Sequence, residues 1–586
     1  MIIKWNNEVL FEEELKDKST LRAFQINKID DGNEIKFVLL DSDGLWGFGE
    51  RFDSLNQVGL SRDNLVYEKF TDQGNNTYLP VPFMISNHIG LYVDTYEKLV
   101  FSSNKIVDGI QVSIIAATTV DQIRIFEGAP KYQIGEFLKL VGVANLPPMW
   151  GFGPWMSANR WNTQEEVLKQ AGIAKELDLY HSVIVVEAWS DEATFYEFNE
   201  NKLWPSPKKM VDELHDNDLK LLLWQIPVFK KLDPGQKNKT QNQDCKNAIE
   251  KNYVVLNKDG TPYQIPDGRW FEGSMIPDFT NPETFDWWFE KRKPLLDIGV
   301  DGFKTDGGEF VYTDDVKFHD GSTGKTMRNG YSYLYTAAYK KAIGENRVLF
   351  SRAGYTGSWK NSLIWGGDQM SNWSELRHVL IAGLNASMSG VFYWGFDIAG
   401  FAGAMPSKEL YLRSFALATF VPIMQWHSEP LGGQFKELFK SDDVFNDRSP
   451  WNMASYYNDE SILDISRKYC KLRKLLMPYI YGEAQFSVEN RIPLMQALFI
   501  KYPDDENTFD IDDEYLFGRN LLIAPILEEG RFEREVYLPK GTWYDCTSKK
   551  AIKGKIRINR KYDIDQIGIF INLECDNKLL KDIFEL

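Results

Sequence analysis

Over residues 1–143 the apolar positions come in short runs, EIKFVLLD, GLYVDTY, QVSIIAA and QIRIFEG, broken by Gly, Asn and Asp. Short apolar runs bounded by turn formers predict strands, and their spacing predicts a β-sandwich. From residue 144 the pattern changes. Eight apolar runs follow one another to residue 485: FGPWMS, HSVIVVEAW, LKLLLWQIP, DGFKTDGGE, RVLFSRAG, LIWGGD, GVFYWGFDIAG and FVPIMQWHSE. Helix-like stretches such as TQEEVLKQAGIAKELD and SPKKMVDELHDND lie between most of them. Eight strand–helix units predict an α/β fold of the (β/α)8 TIM-barrel type. Little helix separates the fifth run from the sixth. The polar stretch KKLDPGQKNKTQNQDCKNAIEKN after the third run is too long for an ordinary βα loop. It reads as an insertion near 230–268, a small subdomain over the site. Residues 486–586 read as β again (LMQALFIKY, LLIAPIL, REVYLP, GIFINLE), which predicts a C-terminal β-sandwich domain to match the N-terminal one.

Composition narrows the function classes. The 586 residues carry 67 Lys and Arg against 84 Asp and Glu, a net charge of −17. No basic footprint for duplex nucleic acid or for an anionic membrane follows from that balance. A hydrophobic share of 43% excludes wholesale disorder. Cys245, Cys470, Cys546 and Cys575 lie far apart with no CxxC, so they read as free thiols. The N-terminus turns acidic too early for a signal peptide, and no uncharged apolar run is long enough to span a membrane. The expectation is a cytoplasmic protein. The 18 Trp are mostly core, yet indoles beside polar residues also suit stacking on pyranose faces.

In barrel enzymes the reacting groups sit at the C-terminal ends of the strands. Here those ends are rich in charge and Trp. The second run gives Glu187, Trp189 and Asp191, and the third Trp224. The fourth gives Lys304 and Asp306, then Glu309; the fifth gives Arg352. The sixth gives Trp365 and Asp368, the seventh Trp394 and Asp397, the eighth Trp426, His427 and Glu429. Any one of these is equally well a loop cap or a rim ion pair. Their convergence on one rim is harder to explain that way, because buried charge is costly unless paired. The six His form no HxH or HExxH pair, so a catalytic metal is not expected. No Walker A motif and no GxSxG elbow occur, and no cofactor is implied. Two carboxylates remain, the equipment of glycoside hydrolysis.

These residues resemble a known family. DGFKTDGGE is similar to the nucleophile strand of glycoside hydrolase family 31, and WGGDQMSNW to its acid/base segment. GFGERFD (47–53), PDFTNP (277–282), SRAG (351–354), WGFDIAGF (394–401) and MQWHSE (424–429) follow in the family's order. YPDDENTFDIDDEYLFGRNLLIAPIL and LPKGTWYD resemble the sandwich that follows the barrel. The resemblance implies Asp306 as nucleophile and Asp368 as general acid/base. It implies Lys304, Arg352 and His427 as the groups that hold sugar hydroxyls, and Trp224, Trp270 and Trp365 as pocket walls. It implies Asp278 and Asp397 as supports, an oligosaccharide as partner, and a homo-oligomer.

Elementary chemistry agrees with that assignment. Lys304 and Asp306 are two apart on a strand and share a face, so the cation favours an ionised Asp306. Asp368 must start protonated, which burial beside another carboxylate promotes. Retention of configuration needs the carboxyls about 5–5.5 Å apart. One departure matters: the second strand of family α-glucosidases commonly ends in Asp, and here that place holds Glu187. A longer carboxylate keeps galactose open beside glucose, and Trp189 near C6 keeps xylose open. The leading expectation is an exo-acting retaining α-glucosidase on short α-gluco-oligosaccharides, α-1,3 and α-1,6 links included. An α-galactosidase, an α-xylosidase, an α-glucan lyase and a transglycosylase stand as alternatives.

Overall fold

The computed structural model of the chain describes residues 2–5, 9–11, 21–29, 32–116, 122–158, 161–198, 203–232, 234–428, 447–575 and 578–585. Glu429, which the eighth run offers, lies outside the described residues. Eight parallel strands close a barrel: β1 (Pro154–Ala158), β2 (Val183–Val186), β3 (Lys220–Gln225), β4 (Gly302–Thr305), β5 (Val348–Ser351), β6 (Leu363–Trp365), β7 (Trp394–Asp397) and β8 (Ile423–Ser428). Each falls within one of the eight apolar runs, except that β1 runs one residue past FGPWMS to Ala158. Parallel strands covered on both faces read as continuous apolar stretches, and Val183–Val186 is buried at every position. β5 and β6 are joined only through the short 3₁₀ turn Ser358–Lys360, so the irregular unit expected from the sequence is real.

Sheets flank the barrel on both sides in sequence. N-terminally, a six-stranded sheet ends in Pro80–Ser86 and Leu45–Gly49, and a five-stranded sheet is centred on Gly109–Ala116. Ile35, Phe37, Leu91, Val93, Ile110 and Ile114 pack between them as one core. Helix Pro130–Val141 follows, where the sequence reading had only strands. C-terminally, a six-stranded sheet packs Leu516, Leu522 and Phe570 against Val536 and Leu538 of a two-stranded ribbon. Two local readings change. Leu498–Lys501, inside LMQALFIKY, is a helical turn, and helix Ser461–Asn490 runs through the 485/486 boundary. Short apolar runs do not separate strand from buried helix by periodicity alone.

The long helix also locks the barrel shut. Arg473, fully buried on Ser461–Asn490, donates to four carbonyls. Nε reaches Phe152 O at 2.6 Å, Nη1 reaches Thr419 O and Val421 O at 2.7 Å each, and Nη2 reaches Pro422 O at 2.6 Å. Phe152 precedes β1 and residues 419–422 precede β8, the two strands that close the ring. Arg473→Met fills the space yet leaves those carbonyls buried without donors. Unfolding by denaturant should show a loss of about 3 kcal/mol or more. A change within about 0.5 kcal/mol, the ordinary range for surface substitutions, would mean the seam holds without it.

After β3 the chain makes helix Lys239–Glu250 and strand Leu256–Asn257, which pairs with Val316–Lys317 from beyond β4. This excursion delivers Trp270 to the barrel's rim. The N-terminal sheets are tied to the barrel at the C-terminal end of helix Trp373–Met388. Gly49 N donates to Ser389 Oγ at 2.8 Å, and Asn385 Nδ2 donates to Arg51 O and Ser54 O. Among the described residues no helix is long and apolar enough to cross a membrane.

Candidate active site

β4 alternates as the sequence predicts. Phe303 packs outward on Tyr339 of helix Gly324–Ile343, which turns Lys304 and then Asp306 toward the barrel's interior and rim. The chain must swerve just after Asp306. Gly307 takes φ +69°, where a Cβ would press on Ile226 and Phe310 within 2.7 Å. Its N–H donates to Asp306 Oδ1 at 2.7 Å. Trp224 Nε1, from β3, donates to Oδ2 at 2.9 Å. Both oxygens of Asp306 are thus used as acceptors.

Arg352 follows β5 and organises the carboxylates. Its Nε and Nη2 grip Glu309 Oε1 and Oε2 at 3.0 and 3.3 Å. Nη1 is left to face two others, Asp306 Oδ1 at 3.3 Å and Asp368 Oδ2 at 3.5 Å. The guanidinium lies 4.9 Å from the Tyr78 ring and 4.9 Å from the Trp270 ring. Burial works against the cation, but Asp306 and Glu309 outweigh it and hold its pKa well above the usual arginine value. Asp368 sits three residues past β6, on a turn whose Gly367 takes φ +70° against the Tyr78 ring. Asn372 then caps helix Trp373–Met388 by accepting from Glu375 N. Burial pushes the Asp368 carboxyl up to about 8; Arg352 opposes this, while Asp306 and Asp397 add to it.

A second group lies across the barrel mouth. Lys304 Nζ donates to Glu187 Oε1 and stands 4.5 Å over the Trp365 ring. Burial disfavours the ammonium, yet Glu187, Asp397 and Asp306 raise its pKa to about 12. Burial lifts Glu187 to about 7 against the pull of Lys304. His427 Nδ1 lies 2.6 Å from Ser157 Oγ and 3.8 Å from Glu187 Oε1. Burial, then the charges of Lys304 and Arg448, drive its pKa well below the usual value, so the ring is neutral. Asp397 accepts from Gln425 Nε2 on Oδ1. Among the described residues its other oxygen, His427 Nε2 and Trp365 Nε1 are buried with no hydrogen-bond partner. Buried polar atoms are nearly always satisfied, so three such atoms at one mouth are suited to pairing with a polar ligand.

Two further residues of the sequence reading lie outside this cluster of contacts. Trp189 is completely buried against Phe198, with its indole N–H on Trp224 O at 2.9 Å, so it backs Trp224. Asp278, expected as a support, accepts from Thr280 N and Oγ1 and from His319 N, tying two loops together. The sequence reading also missed contributors. Tyr78, from the N-terminal sheets, has its hydroxyl on Lys69 O and receives Gln73 Nε2 at 2.9 Å. Phe70 of the same segment packs on Phe401, whose ring is 4.6 Å from His427. Nothing in RDNLVYEKFTDQGNNTYLP marks these residues, because a contact across domains leaves no periodicity.

A closed eight-stranded barrel with two carboxylates bridged by one arginine at its C-terminal rim defines an enzyme of the carboxylate-pair type. Comparison with known proteins makes this particular. Residues 144–483 match the glycosyl hydrolases family 31 TIM-barrel domain, and 491–573 match the family's C-terminal domain. Residues 4–101 match its N-terminal galactose mutarotase-like domain. The chain belongs to glycoside hydrolase family 31. It is 37% identical over 568 residues to the 1,3-α-isomaltosidase of Kribbella flavida, spanning 91% of this chain and 76% of that one. It is 35% identical over 578 residues to the isomaltosyltransferase of Sporosarcina globispora, spanning 93% of this chain but only 52% of that one. The cycloalternan-degrading enzyme of Trueperella pyogenes, solved in complex with a covalent intermediate, superposes with a TM-score of 0.86 at 33% identity. That match covers 93% of this chain and 79% of the solved one.

Proposed function

We propose that this chain is an exo-acting retaining α-glycosidase of short α-1,3- or α-1,6-linked gluco-oligosaccharides. The observation that carries the reading is Arg352 Nη1, which touches Asp306 and Asp368 at once. The two oxygens it touches are no farther apart than the sum of those distances. That limit fits a retaining pair at about 5–5.5 Å and reaches only the bottom of the roughly 6.5–9.5 Å inverting range. Asp306 attacks the anomeric carbon while the glycosidic C–O bond breaks and Asp368 gives its proton to the leaving oxygen. Water then loses a proton to Asp368 and attacks the anomeric carbon, and the ester to Asp306 breaks. The orphaned Asp397 Oδ2 and His427 Nε2, with Lys304 and Glu187, supply partners for the hydroxyls of the sugar being transferred.

Glucose is favoured because the relatives named above are enzymes of isomaltose units. Their names favour a second reading of the product, in which a two-glucose isomaltosyl unit leaves or is transferred. Incubation with nigerose, isomaltose and isomaltosyl-α-1,3-glucose, alongside the p-nitrophenyl α-glycosides of glucose, galactose and xylose, tests all of this. Cleavage of gluco-substrates is expected, with the α-anomer appearing first by NMR. Isomaltose together with glucose from the trisaccharide selects the second reading, and nigerose together with glucose the first. Products lacking one water would point to a lyase. A β-anomer first, or action on the galactoside alone, would overturn the reading.

A further inference from the structure

Glu50 is a fully buried carboxyl that the mechanism leaves unused. It belongs to GFGERFD in the N-terminal sheets and has no exposed surface. Its Oε1 accepts from Trp394 Nε1 at 2.6 Å, and its Oε2 has no partner. Burial raises its pKa to about 8, the Trp394 hydrogen bond acting against this, so it enters neutral solution largely as the neutral acid. A protonated carboxyl kept in an apolar place at this cost invites a reason beyond stability.

Its surroundings supply one. Trp394 begins β7, and its indole lies under the turn that carries Asp368. A Cβ on Gly366 would stand 3.0 Å from the Trp394 ring. The other side of that turn is covered by Tyr78, whose ring a Cβ on Gly367 would strike at 2.1 Å. The main chain of Glu50 also meets the residues on either side of Tyr78: its N–H donates to Leu79 O at 2.9 Å, and its carbonyl accepts from Thr77 Oγ1 at 2.6 Å. The Glu50 carboxyl thus holds one of the two aromatic rings packed on Gly366–Gly367, two glycines with no side chains of their own to set the turn.

We propose that Glu50, through Trp394, is a positioning residue that sets the Asp368 carboxyl for proton transfer to the leaving oxygen. The inference rests on Asp368 being the general acid. Misplacing an acid matters in proportion to the leaving group's need for a proton, and a merely structural residue lacks that selectivity.

The test compares kcat/KM, which reports the glycosylation step, on nigerose and on α-glucosyl fluoride, whose leaving group needs little acid assistance. Glu50→Leu, which removes the acceptor, should lower the nigerose value about 10-fold or more and the fluoride value less than about 3-fold. Glu50→Gln keeps an acceptor oxygen for Trp394 and should restore most of the loss. Trp394→Phe removes the donor from the barrel's side and should reproduce the selective loss, which keeps the test open if Glu50→Leu does not fold by near-UV circular dichroism. Equal losses on both substrates, or no loss, would overturn the inference. Asp368→Asn is measured alongside. If it too shows no dependence on leaving group, the failure lies in the assignment of Asp368 and not in Glu50.

Discussion

Asp306→Asn should lower kcat/KM on p-nitrophenyl α-glucoside by about 10⁴-fold or more while the protein still folds. An asparagine has nearly the same shape, and its amide oxygen still accepts from Trp224 Nε1 or from the Gly307 N–H. Arg352 keeps both of its bonds to Glu309, so no buried cation is stranded. What disappears is the carboxylate that the proposed mechanism uses to attack the anomeric carbon, and no neighbour replaces it. Asp368 is poised as an acid, Glu187 is bonded to Lys304, and Glu309 is occupied by Arg352. Thermal unfolding should move little, because one unfavourable charge also leaves a crowded acidic cluster. The measurement pairs the rate with the melting curve. Activity within a few-fold of wild type would remove Asp306 from the mechanism, and a collapsed melting curve would make the rate uninformative, in which case Asp306→Glu serves as the replacement.

How far the sequence could be read follows from which forces are local. All eight barrel strands are legible because a parallel strand covered on both faces must be apolar throughout, and a turn must follow it. The rim chemistry is legible for the same reason: Lys304, Asp306, Arg352, Asp368, Asp397 and His427 are charges or polar groups placed where an apolar run ends. Side-chain depth is not legible. Trp189 sits in a motif beside Glu187, yet only the packed structure shows it turned to Trp224 O and sealed. Asp278 lies in PDFTNP, whose Asn281 caps helix Pro282–Asp297, so its local turn role and a site role look alike in sequence. Tyr78 and Glu50 reach the site from more than 200 residues away in the chain. Their role is created by the docking of the N-terminal sheets on the barrel, which hydrophobic patterning does not encode.

The charge count at the site leads to the other large effect. Glu187, Asp306, Glu309, Asp368 and Asp397 lie beside Lys304 and Arg352, Arg448 acts on Asp397 from farther off, and His427 is neutral. The carboxyls outnumber the cations, and burial favours protonation, with Asp368 pushed to about 8. An acid must hold its proton to act, so kcat/KM on oligosaccharides should be sustained below about pH 8 and fall about tenfold per unit above it. Asp368→Asn should abolish that alkaline limb and cost about 10²–10⁴-fold on the same substrates. Glu187, lifted to about 7, titrates nearby, so the limb belongs to the cluster, and Glu187→Gln shows which part is its own. Stability carries the same sign. The folded pKa of Asp368 lies above its unfolded value near 4, so its contribution is complete below that value and is lost as pH rises through about 8. Glu50 and Glu514, also raised to about 8, add to the loss. These groups should therefore lower the melting temperature as pH rises from about 4 to about 8, and less steeply in Asp368→Asn. A rate limb that survives intact in that variant would assign the proton to another group.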